Sequence, residues 1–267
     1  MTTVDAQFAG QLPHYYERYL VPLLFAPYAR DLARRAADLA PRQVLEIAAG
    51  TGIVTRRLAA ALPSARIVAT DLNPDMLAVG SATALPQVSW QLADAAQLPF
   101  GDAGFDLVLC QFGVMFFPDR PQAFAQARRM LRPGGRLLFN VWDALPANAF
   151  AAGVQAAMDE LFPDDPPGFF ARTPHGYHDK AAIVGDLAVA GFTSPPDIET
   201  VVLQCSAASA ADVAAGFCQG TPLRSEIEAR GHSPESAAAF AAAHLEQHYG
   251  KGPLRGAMCA HVISVAA

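Results

Sequence analysis

Short apolar segments alternate with amphipathic ones through the first half of the chain. Q-V-L-E-I-A at 43–48 is a short apolar run of the kind found in strands that are buried on both faces. The next segment, 52–62, predicts a helix, because Val54, Leu58 and Leu62 recur on one helical face. The same alternation predicts four further strands, at 66–71, 88–92, 105–110 and 137–142. Strands that alternate with helices in this way indicate a parallel sheet covered by helices.

The remaining segments add more helices and two more strands. Before the sheet, the amphipathic stretch 27–39 predicts a helix with Tyr28, Leu32, Ala36 and Leu39 on one face. After the sheet come predicted helices at 147–162 and 179–190, a strand at 198–205, an alanine-rich helical stretch at 207–249 and a last strand at 258–265. We therefore predict an α/β fold, a doubly wound, Rossmann-like, mostly parallel seven-stranded sheet with helical cap additions over its C-terminal edge.

These patterns divide the chain into six predicted segments. They are an N-terminal helical segment or lid (1–40), a ligand-binding core (41–146), an inserted cap segment (147–178), a continuation of the core by a helix and a strand (179–206), a helical insertion (207–256) and the last core strand (257–267). Because doubly wound sheets bind ligands at the carboxyl ends of their strands, we expect the ligand site in the core.

Composition narrows the class of protein. The chain has 267 residues, of which 52% are hydrophobic and 16% charged, as expected for a globular protein with a full core. It contains no run of about 18 apolar residues, the length that a membrane span requires. Its first residues, M-T-T-V-D-A-Q-F-A-G-Q, lack the basic region and the apolar core of a signal peptide. We therefore expect a cytoplasmic protein that does not enter a membrane.

Charge and cysteine spacing argue against nucleic acid and metal as partners. Lys and Arg number 19 against 25 Asp and Glu, which gives a net charge of −6, whereas nucleic-acid binders present a basic face to phosphates. The four cysteines, Cys110, Cys205, Cys218 and Cys259, have no Cys-x-x-Cys spacing, so no metal site is predicted. Cys110 and Cys259 lie inside apolar strand patterns, where we expect buried, reduced thiols.

The segment V-L-E-I-A-A-G-T-G at 44–52 runs from a buried strand into a glycine turn, which is typical of a nucleotide-binding loop. Gly50 and Gly52 supply two glycines of the dinucleotide template G-x-G-x-x-G, but the third position is Thr55. Glu46 lies in the strand just before the turn, and a carboxylate there suits a cationic ligand better than a pyrophosphate. The loop therefore favours a positively charged cofactor over NAD(P), which stays the alternative.

Five motifs resemble those of the class I S-adenosylmethionine-dependent methyltransferases, and most closely the branch of ubiquinone and menaquinone biosynthesis. They occur in the expected order and spacing over about 42–142. They are V-L-E-I-A-A-G-T-G at 44–52, D-L-N-P-D-M-L at 71–77, A-D-A-A-Q-L-P-F-G-D-A-G-F-D at 93–106, F-G-V-M-F-F-P-D at 112–119 and M-L-R-P-G-G-R-L-L at 130–138. The resemblance implies S-adenosyl-L-methionine as cofactor and S-adenosyl-L-homocysteine as product.

The resemblance also implies which residues contact the methionyl end of the cofactor. Glu46 would bind the methionyl ammonium, directly or through water, and Gln111 would line the pocket nearby. The backbone at Ala48, Gly50 and Gly52 would pass close to the cofactor, so the side chains there must be small. A methyl group fits at position 48 provided that its backbone angle is ordinary. Alternatively, Glu46 is an ordinary strand-end carboxylate.

Further residues are implied at the nucleoside end. Asp71, at the end of the second strand, would accept both ribose hydroxyls in charge-assisted hydrogen bonds. Leu72 and Met76 would sandwich the adenine, while Asp94 takes its amino group and the Ala95 N–H reaches a ring nitrogen. Other interpretations stay open, since Asp71 can be an ordinary strand-end carboxylate, Asp94 the cap of a turn and Met76 part of a helix core.

No residue is forced into the role of a base. Methyl transfer from a sulfonium is an in-line displacement, which needs alignment above all and a base only when the acceptor starts protonated. The candidates for a base are His14 and Tyr16 in P-H-Y-Y-E-R-Y-L, and His175 and His178 in F-F-A-R-T-P-H-G-Y-H-D. Alternatively, the aromatic residues of the first segment pack it down and the second segment is a solvated loop. His244 and His248 are one helical turn apart, and we expect them on a solvated face.

We therefore predict a methyltransferase that acts on a small, partly apolar metabolite. Met115 and Phe116 stand where the quinone-biosynthesis enzymes tend to carry an Arg-Asn pair, so the acceptor specificity of those enzymes does not transfer with the resemblance. The alternatives are an NAD(P)-dependent oxidoreductase, a methyltransferase for RNA or protein, and a binding protein without turnover. The identity of the acceptor and the oligomeric state stay open.

Overall fold

The computed structural model describes residues 10–267. The first nine residues of the predicted N-terminal segment lie outside the described residues, and they include most of the stretch M-T-T-V-D-A-Q-F-A-G-Q. Two compact units make up the described chain. The sheet unit comprises Tyr28–Trp142, Tyr177–Val201 and Ala260–Ala267. The helical unit comprises residues 10–27, Asp143–Gly176 and Val202–Cys259.

Seven strands form one sheet. In chain order they are β1 Gln43–Glu46, β2 Arg66–Asp71, β3 Val88–Leu92, β4 Phe105–Gln111, β5 Leu131–Trp142, β6 Asp197–Ala207 and β7 Leu254–Ala266. Their order in the sheet is β3-β2-β1-β4-β5-β7-β6. The first five strands pair in parallel, and β7 pairs antiparallel to β5. The prediction of a mostly parallel, seven-stranded α/β sheet is thus confirmed.

Eleven α-helices are found in the described residues. They are α1 Leu12–Tyr15, α2 Ala26–Asp38, α3 Ile53–Ala61, α4 Pro74–Ser81, α5 Arg120–Met130, α6 Ala149–Leu161, α7 Phe169–Arg172, α8 Lys180–Val189, α9 Ala210–Gly220, α10 Leu223–Ala229 and α11 Pro234–Tyr249. A π-helix covers Tyr16–Phe25, and short 3-10 turns cover Val114–Phe116 and Leu145–Ala147. The helices predicted at 27–39, 147–162 and 179–190 are therefore present, with ends shifted by one or two residues.

Local sequence explains where the helices of the sheet unit begin. The side chains of Asp119 and Asp179 cap α5 and α8 by accepting the N–H groups of Gln122 and Ala181. Such caps satisfy N–H groups that have no partner within the helix. Helix α3 follows Gly52, whose φ of +81° lies in the left-handed region that glycine adopts without strain. The glycine turn after β1 thus passes directly into α3.

Helix α2 buries one face in the core of the sheet unit. Tyr28, Leu32 and Ala36 are completely buried, as predicted. Leu39 was predicted on the same face, but it follows the last residue of α2 and is 41% exposed. The prediction for Leu39 is wrong because the helix ends one residue earlier and the chain turns at Ala40, which has a φ of +46°.

The helical unit contains α9, which packs against the π-helix and against α11. Two glycines of α9 allow the close approach to the π-helix. A Cβ on Gly216 would lie 2.9 Å from Leu20, and one on Gly220 would lie 3.1 Å from the backbone nitrogen of Tyr16. Pro22 lies inside the π-helix and has no N–H, so it cannot donate a helical hydrogen bond. Pro22 thus weakens the regular α-helical ladder in this segment.

All four cysteines are buried, as predicted for Cys110 and Cys259. Within residues 10–267, no helix is both long enough and apolar enough to cross a lipid bilayer. The same residues do not bring together three or more His, Cys, Asp or Glu side chains in an arrangement that could hold a metal ion.

Candidate functional site

The polar residues predicted to bind the cofactor follow four adjacent strands of the sheet. Glu46, Asp71 and Gln111 end β1, β2 and β4, and Asp94 comes two residues after β3. Because these strands are parallel neighbours, their carboxyl ends lie along one edge of the sheet. The strand order reverses between β1 and β4, and the crevice at such a switch point is where open α/β sheets bind ligands.

Glu46 is buried at the end of β1, with 1% of its surface exposed. Its carboxylate accepts a hydrogen bond from the Thr55 hydroxyl at 2.7 Å, and its backbone carbonyl accepts one from the Thr70 hydroxyl at 3.0 Å. Burial, together with the nearby Asp71 charge, raises the pKa of the Glu46 carboxyl to about 8, although the Thr55 hydrogen bond and Arg56 act to lower it. A carboxyl with this pKa can exchange its proton for a cationic ligand near neutral pH.

Asp71 joins the end of β2 to the glycine turn. One carboxylate oxygen accepts the N–H of Gly50 at 2.8 Å, and the other accepts the N–H of Asn73 at 2.8 Å. Burial raises the pKa of Asp71, and the hydrogen bonds from Asn73 and Gly50 oppose the rise. Oδ1 also accepts the side-chain N–H of Asn73 at 3.4 Å, so the protein itself uses most of the roughly four lone-pair positions of this carboxylate.

The three small residues of the glycine turn all have left-handed backbone angles. The φ values of Ala48, Gly50 and Gly52 are +55°, +56° and +81°. No atom lies within 4 Å of the place where a Cβ on Gly50 would stand, so this turn faces open space there. A Cβ on Gly52 would lie only 2.5 Å from the Trp90 ring. The absence of a side chain at Gly50 thus leaves room for a ligand, whereas its absence at Gly52 leaves room for the Trp90 ring.

Ala48 corrects one expectation from the sequence. The methyl group was expected to fit with an ordinary backbone angle, but a φ of +55° is rare for a residue with a Cβ. Left-handed geometry costs such a residue about 1–2 kcal/mol. Strain of this kind persists where the surrounding structure holds the residue in place, which is common at binding sites.

The residues predicted at the nucleoside end differ in their exposure. Leu72 is 56% exposed, whereas Met76 is 3% exposed and lies in the core side of α4. The Asp94 carboxylate accepts the N–H of Ala96 at 2.8 Å, so it caps the turn after β3, as the alternative interpretation proposed. Ala95 lies within this turn. Leu72 is thus the side chain of this group that offers a broad apolar surface to a ligand.

Two residues that the sequence did not identify shape the segment after β4, namely Phe112 within it and Asn140 on β5. Phe112 has a φ of +51° and stacks on Trp142, with ring centroids 3.7 Å apart. Its N–H donates to the side-chain oxygen of Asn140 at 2.9 Å. The sequence did contain an indication of Asn140, because it is the one polar residue in the apolar strand L-L-F-N-V-W. Asn140 thus fixes the backbone that follows Gln111.

The candidates for a base lie in different units. His14, Tyr16 and His175 belong to the helical unit and His178 to the sheet unit. His14 and His178 are exposed. Tyr16 stacks on Phe25, with ring centroids 4.8 Å apart.

His175 is buried and lies 2.8 Å from the backbone carbonyl of Asp143 through Nδ1. Because a carbonyl oxygen only accepts, Nδ1 carries the proton in this contact. The expectation of a solvated loop is therefore wrong for His175.

The paired histidines of α11 also differ from the prediction. His248 is exposed, as expected for a solvated face, but His244 is 7% exposed. The two rings stack with centroids 4.8 Å apart, and His244 Nδ1 lies 3.4 Å from the Glu160 carboxylate. The prediction of a solvated face is wrong for His244, because α11 packs this position against α6.

Comparisons with known proteins find methyltransferases. A family model described as a methyltransferase domain matches residues 44–135. The chain is 36% identical over 137 residues to demethylmenaquinone methyltransferase of Thermus thermophilus, a match that covers 49% of this chain and 62% of that enzyme. It is 32% identical over 165 residues to demethylmenaquinone methyltransferase of Deinococcus radiodurans, a match that covers 60% of this chain and 68% of that enzyme. The chain thus spans slightly less than two thirds of the Thermus enzyme.

The fold is similar to that of a solved methyltransferase. Phosphoethanolamine N-methyltransferase 2 of Haemonchus contortus, in complex with phosphomonomethylethanolamine and S-adenosylhomocysteine, superposes with a TM-score of 0.62 and 15% identity. The match covers 100% of this chain and 61% of that one. At this identity the likeness shows the fold alone, since one fold hosts many activities.

Proposed function

This chain belongs to the class I S-adenosylmethionine-dependent methyltransferases, and we propose that it transfers a methyl group to a small, partly apolar metabolite. The observation that carries the proposal is the pair of buried carboxylates, Glu46 and Asp71, on either side of the turn at Gly50. Two such acids suit a cofactor with an ammonium, a sulfonium and a ribose diol, and Glu46, just before the turn, is unfavourable beside a pyrophosphate.

The cofactor roles follow from chemistry at each position. We propose that Glu46 takes the methionyl ammonium and that Asp71 accepts the ribose hydroxyls. Gln111 would line the methionyl end, and the exposed face of Leu72 would contact the adenine. The hydroxyl of Thr51 supports this fit, because it is buried without a hydrogen-bond partner among the described residues, and a bound ligand can satisfy it.

The further cofactor contacts are proposals of the same kind. Ala48 and Gly52 would keep the turn narrow beside the cofactor. The turn at Asp94 and Ala95 would present its polar groups to the adenine edge, and Met76 would support the adenine from within α4. Each of these residues lies in the sheet unit together with Glu46 and Asp71.

The bound cofactor supplies an electrophilic methyl group on a sulfonium, and its loss leaves a neutral thioether, S-adenosylhomocysteine. The chain's own residues must hold the acceptor in line with that methyl group and keep water away. Alignment alone can lower a barrier by about 7–11 kcal/mol. A base is needed only for a protonated acceptor, and His14, Tyr16, His175 and His178 stay candidates for it.

The acceptor is proposed from the surroundings of the segment after β4. Met115 is completely buried and Phe116 half-buried, so this segment is apolar. The relatives' names refer to a quinone precursor, which is itself apolar, but the resemblance implies an Arg-Asn pair in such enzymes where this chain has Met115 and Phe116. The net charge of −6 further favours a small molecule over RNA. A cytoplasmic location stays a prediction from the sequence.

Calorimetry and a turnover assay test the proposal together. The purified chain is titrated with S-adenosylhomocysteine and, separately, with NAD, and is then incubated with S-adenosylmethionine and a panel of metabolites. We expect S-adenosylhomocysteine to bind, NAD not to bind, and at least one apolar metabolite to stimulate the release of S-adenosylhomocysteine. Tight NAD binding without S-adenosylhomocysteine binding would refute the proposed cofactor. Activity only on RNA or protein would refute the proposed acceptor class.

A further inference from the structure

Thr55 occupies the third glycine position of the dinucleotide template, in the first turn of α3. Its hydroxyl donates to the Glu46 carboxylate at 2.7 Å. Both residues are buried, with Thr55 completely inaccessible and Glu46 1% exposed. A glycine at position 55 would leave this carboxylate oxygen without its donor. The residue that departs from the dinucleotide template therefore completes the environment of the acid.

The charged and titratable groups around Glu46 make this hydrogen bond important. Asp71, on β2, repels the ionised carboxylate, and Arg56, on α3, attracts it. Cys110, on β4, is a neutral thiol, because burial raises its pKa to about 12. Desolvation dominates the balance and disfavours the ionised form of Glu46, while both the hydroxyl and the N–H of Thr55 favour it.

We propose that Thr55 is a positioning residue whose hydroxyl orients the Glu46 carboxylate and favours its ionised form, so that Glu46 can bind the ammonium of S-adenosylmethionine. This inference rests on the proposed function, and in particular on the role of Glu46. Thr55 itself does not need to touch the cofactor. Without its hydroxyl, the carboxylate keeps its place in the chain but holds its proton up to a higher pH.

The structure offers a matched control in Thr70. Thr70 is also completely buried, and its hydroxyl also donates to Glu46, but to the backbone carbonyl rather than to the carboxylate. Thr70→Val therefore removes an equivalent buried hydroxyl but leaves the hydrogen bond to the Glu46 carboxylate intact. Thr55→Val and Thr70→Val differ mainly in which oxygen of Glu46 loses its donor.

The experiment measures binding of S-adenosylhomocysteine by calorimetry from acidic to mildly alkaline pH. The proteins are the unmodified chain, Thr55→Val, Thr55→Ser and Thr70→Val. The amino group of the ligand titrates identically with every protein, so differences between variants report on the protein. Thr55→Ala replaces Thr55→Val if the latter does not fold.

We expect Thr55→Val to lose about 10- to 100-fold in affinity at neutral pH, the range for a hydrogen bond to a charged group. We also expect the pH at which affinity begins to rise to move upward in Thr55→Val, whereas Thr55→Ser and Thr70→Val keep the original pH profile. A loss in Thr55→Val that is equal at every pH would overturn the inference, because it would indicate a packing role only. Unchanged binding by Thr55→Val would overturn it as well. Failure of the unmodified chain to bind S-adenosylhomocysteine would refute the proposed function instead.

Discussion

The N–H of Gly50 donates to Asp71 Oδ2 at 2.8 Å, which fastens the turn after β1 to the end of β2. Asp71 therefore has a structural role before any ligand binds, because its other oxygen accepts the N–H of Asn73. The same carboxylate is proposed to accept the ribose hydroxyls. Changes at Asp71 should thus affect both the shape of the turn and the affinity for the cofactor.

Asp71→Ala is expected to weaken S-adenosylhomocysteine binding by about 1.5–3 kcal/mol, the range for hydrogen bonds to a charged group. It should also lower the free energy of unfolding by about 0.5–1.5 kcal/mol, the net value of one hydrogen bond, because the half-buried N–H of Gly50 loses its acceptor. Calorimetry and urea unfolding measure the two effects. The control is Asp75→Ala, which removes an exposed carboxylate from the first turn of α4 and should leave the affinity unchanged. Unchanged binding by Asp71→Ala would reject the ribose assignment.

Gly50 and Gly52 are expected to respond differently to the same substitution. A Cβ on Gly52 would lie 2.5 Å from the Trp90 ring, which also packs closely on Gly80. Gly52→Ala should therefore cost about 1–3 kcal/mol of stability through overpacking, and about 1–2 kcal/mol more through its left-handed φ. A Cβ on Gly50 would have no atom within 4 Å, so Gly50→Ala should cost only the stability lost through its left-handed φ.

For ligand affinity we expect the opposite order, with the larger effect from the substitution at Gly50. Because the position of a Cβ on Gly50 is open to a ligand, Gly50→Ala should weaken S-adenosylhomocysteine binding more than its effect on stability explains. Calorimetry of Gly50→Ala, beside urea unfolding of both variants, tests the pair. Trp90→Phe should restore part of the stability of Gly52→Ala, since it removes the ring atoms that overlap. Full affinity in Gly50→Ala would mean that the cofactor does not approach this residue.

Much of the candidate site could be predicted from the sequence, because its acids stand at the ends of recognisable strands. Once β1 and β2 are identified as parallel neighbours, Glu46 and Asp71 must lie at the same edge of the sheet. The bond from Phe112 to Asn140 could not be predicted in this way. It joins residues 28 positions apart and depends on the pairing of β4 with β5.

The unusual backbone angles of the site could not be predicted from the sequence either. Ala48 and Phe112 both have positive φ values, of +55° and +51°, although neither is glycine. Local preference predicts ordinary angles for both residues. The packing at the ends of β1 and β4 overrides this preference, and the two strained residues mark the place where the strand order reverses.

A double-mutant cycle can measure the packing between the loops after β1 and β4. A Cβ on Gly113 would overlap the Cβ of Ala48 and lie 2.8 Å from the Cys110 sulfur. Gly113 has an ordinary φ of −96°, so Gly113→Ala should destabilise by overpacking alone, by about 1–3 kcal/mol. Ala48→Gly removes the opposing methyl group, so the double variant should recover part of this loss. Urea unfolding of all four proteins gives the coupling energy. Gly101→Ala, which meets no atom within 4 Å, is the control. Strictly additive losses would contradict the contact.

Glu46 should make the stability of the ligand-free protein fall as pH rises. Burial raises its pKa from the ordinary value of 4.5 to about 8, so between these values the folded chain binds more protons than the unfolded chain. Stability from this group is therefore present below pH 4.5 and is lost as pH rises through 8. The slope reaches at most about 1.4 kcal/mol per pH unit.

Glu46→Gln keeps an oxygen for the Thr55 hydroxyl but cannot ionise, so its free energy of unfolding should fall less steeply than that of the unmodified chain. Urea unfolding of both proteins at several pH values within this window measures the difference. Every other titrating group is shared by the two proteins. If their free energies of unfolding change in parallel with pH, Glu46 ionises at its ordinary pKa, and its buried charge no longer supports a cationic cofactor.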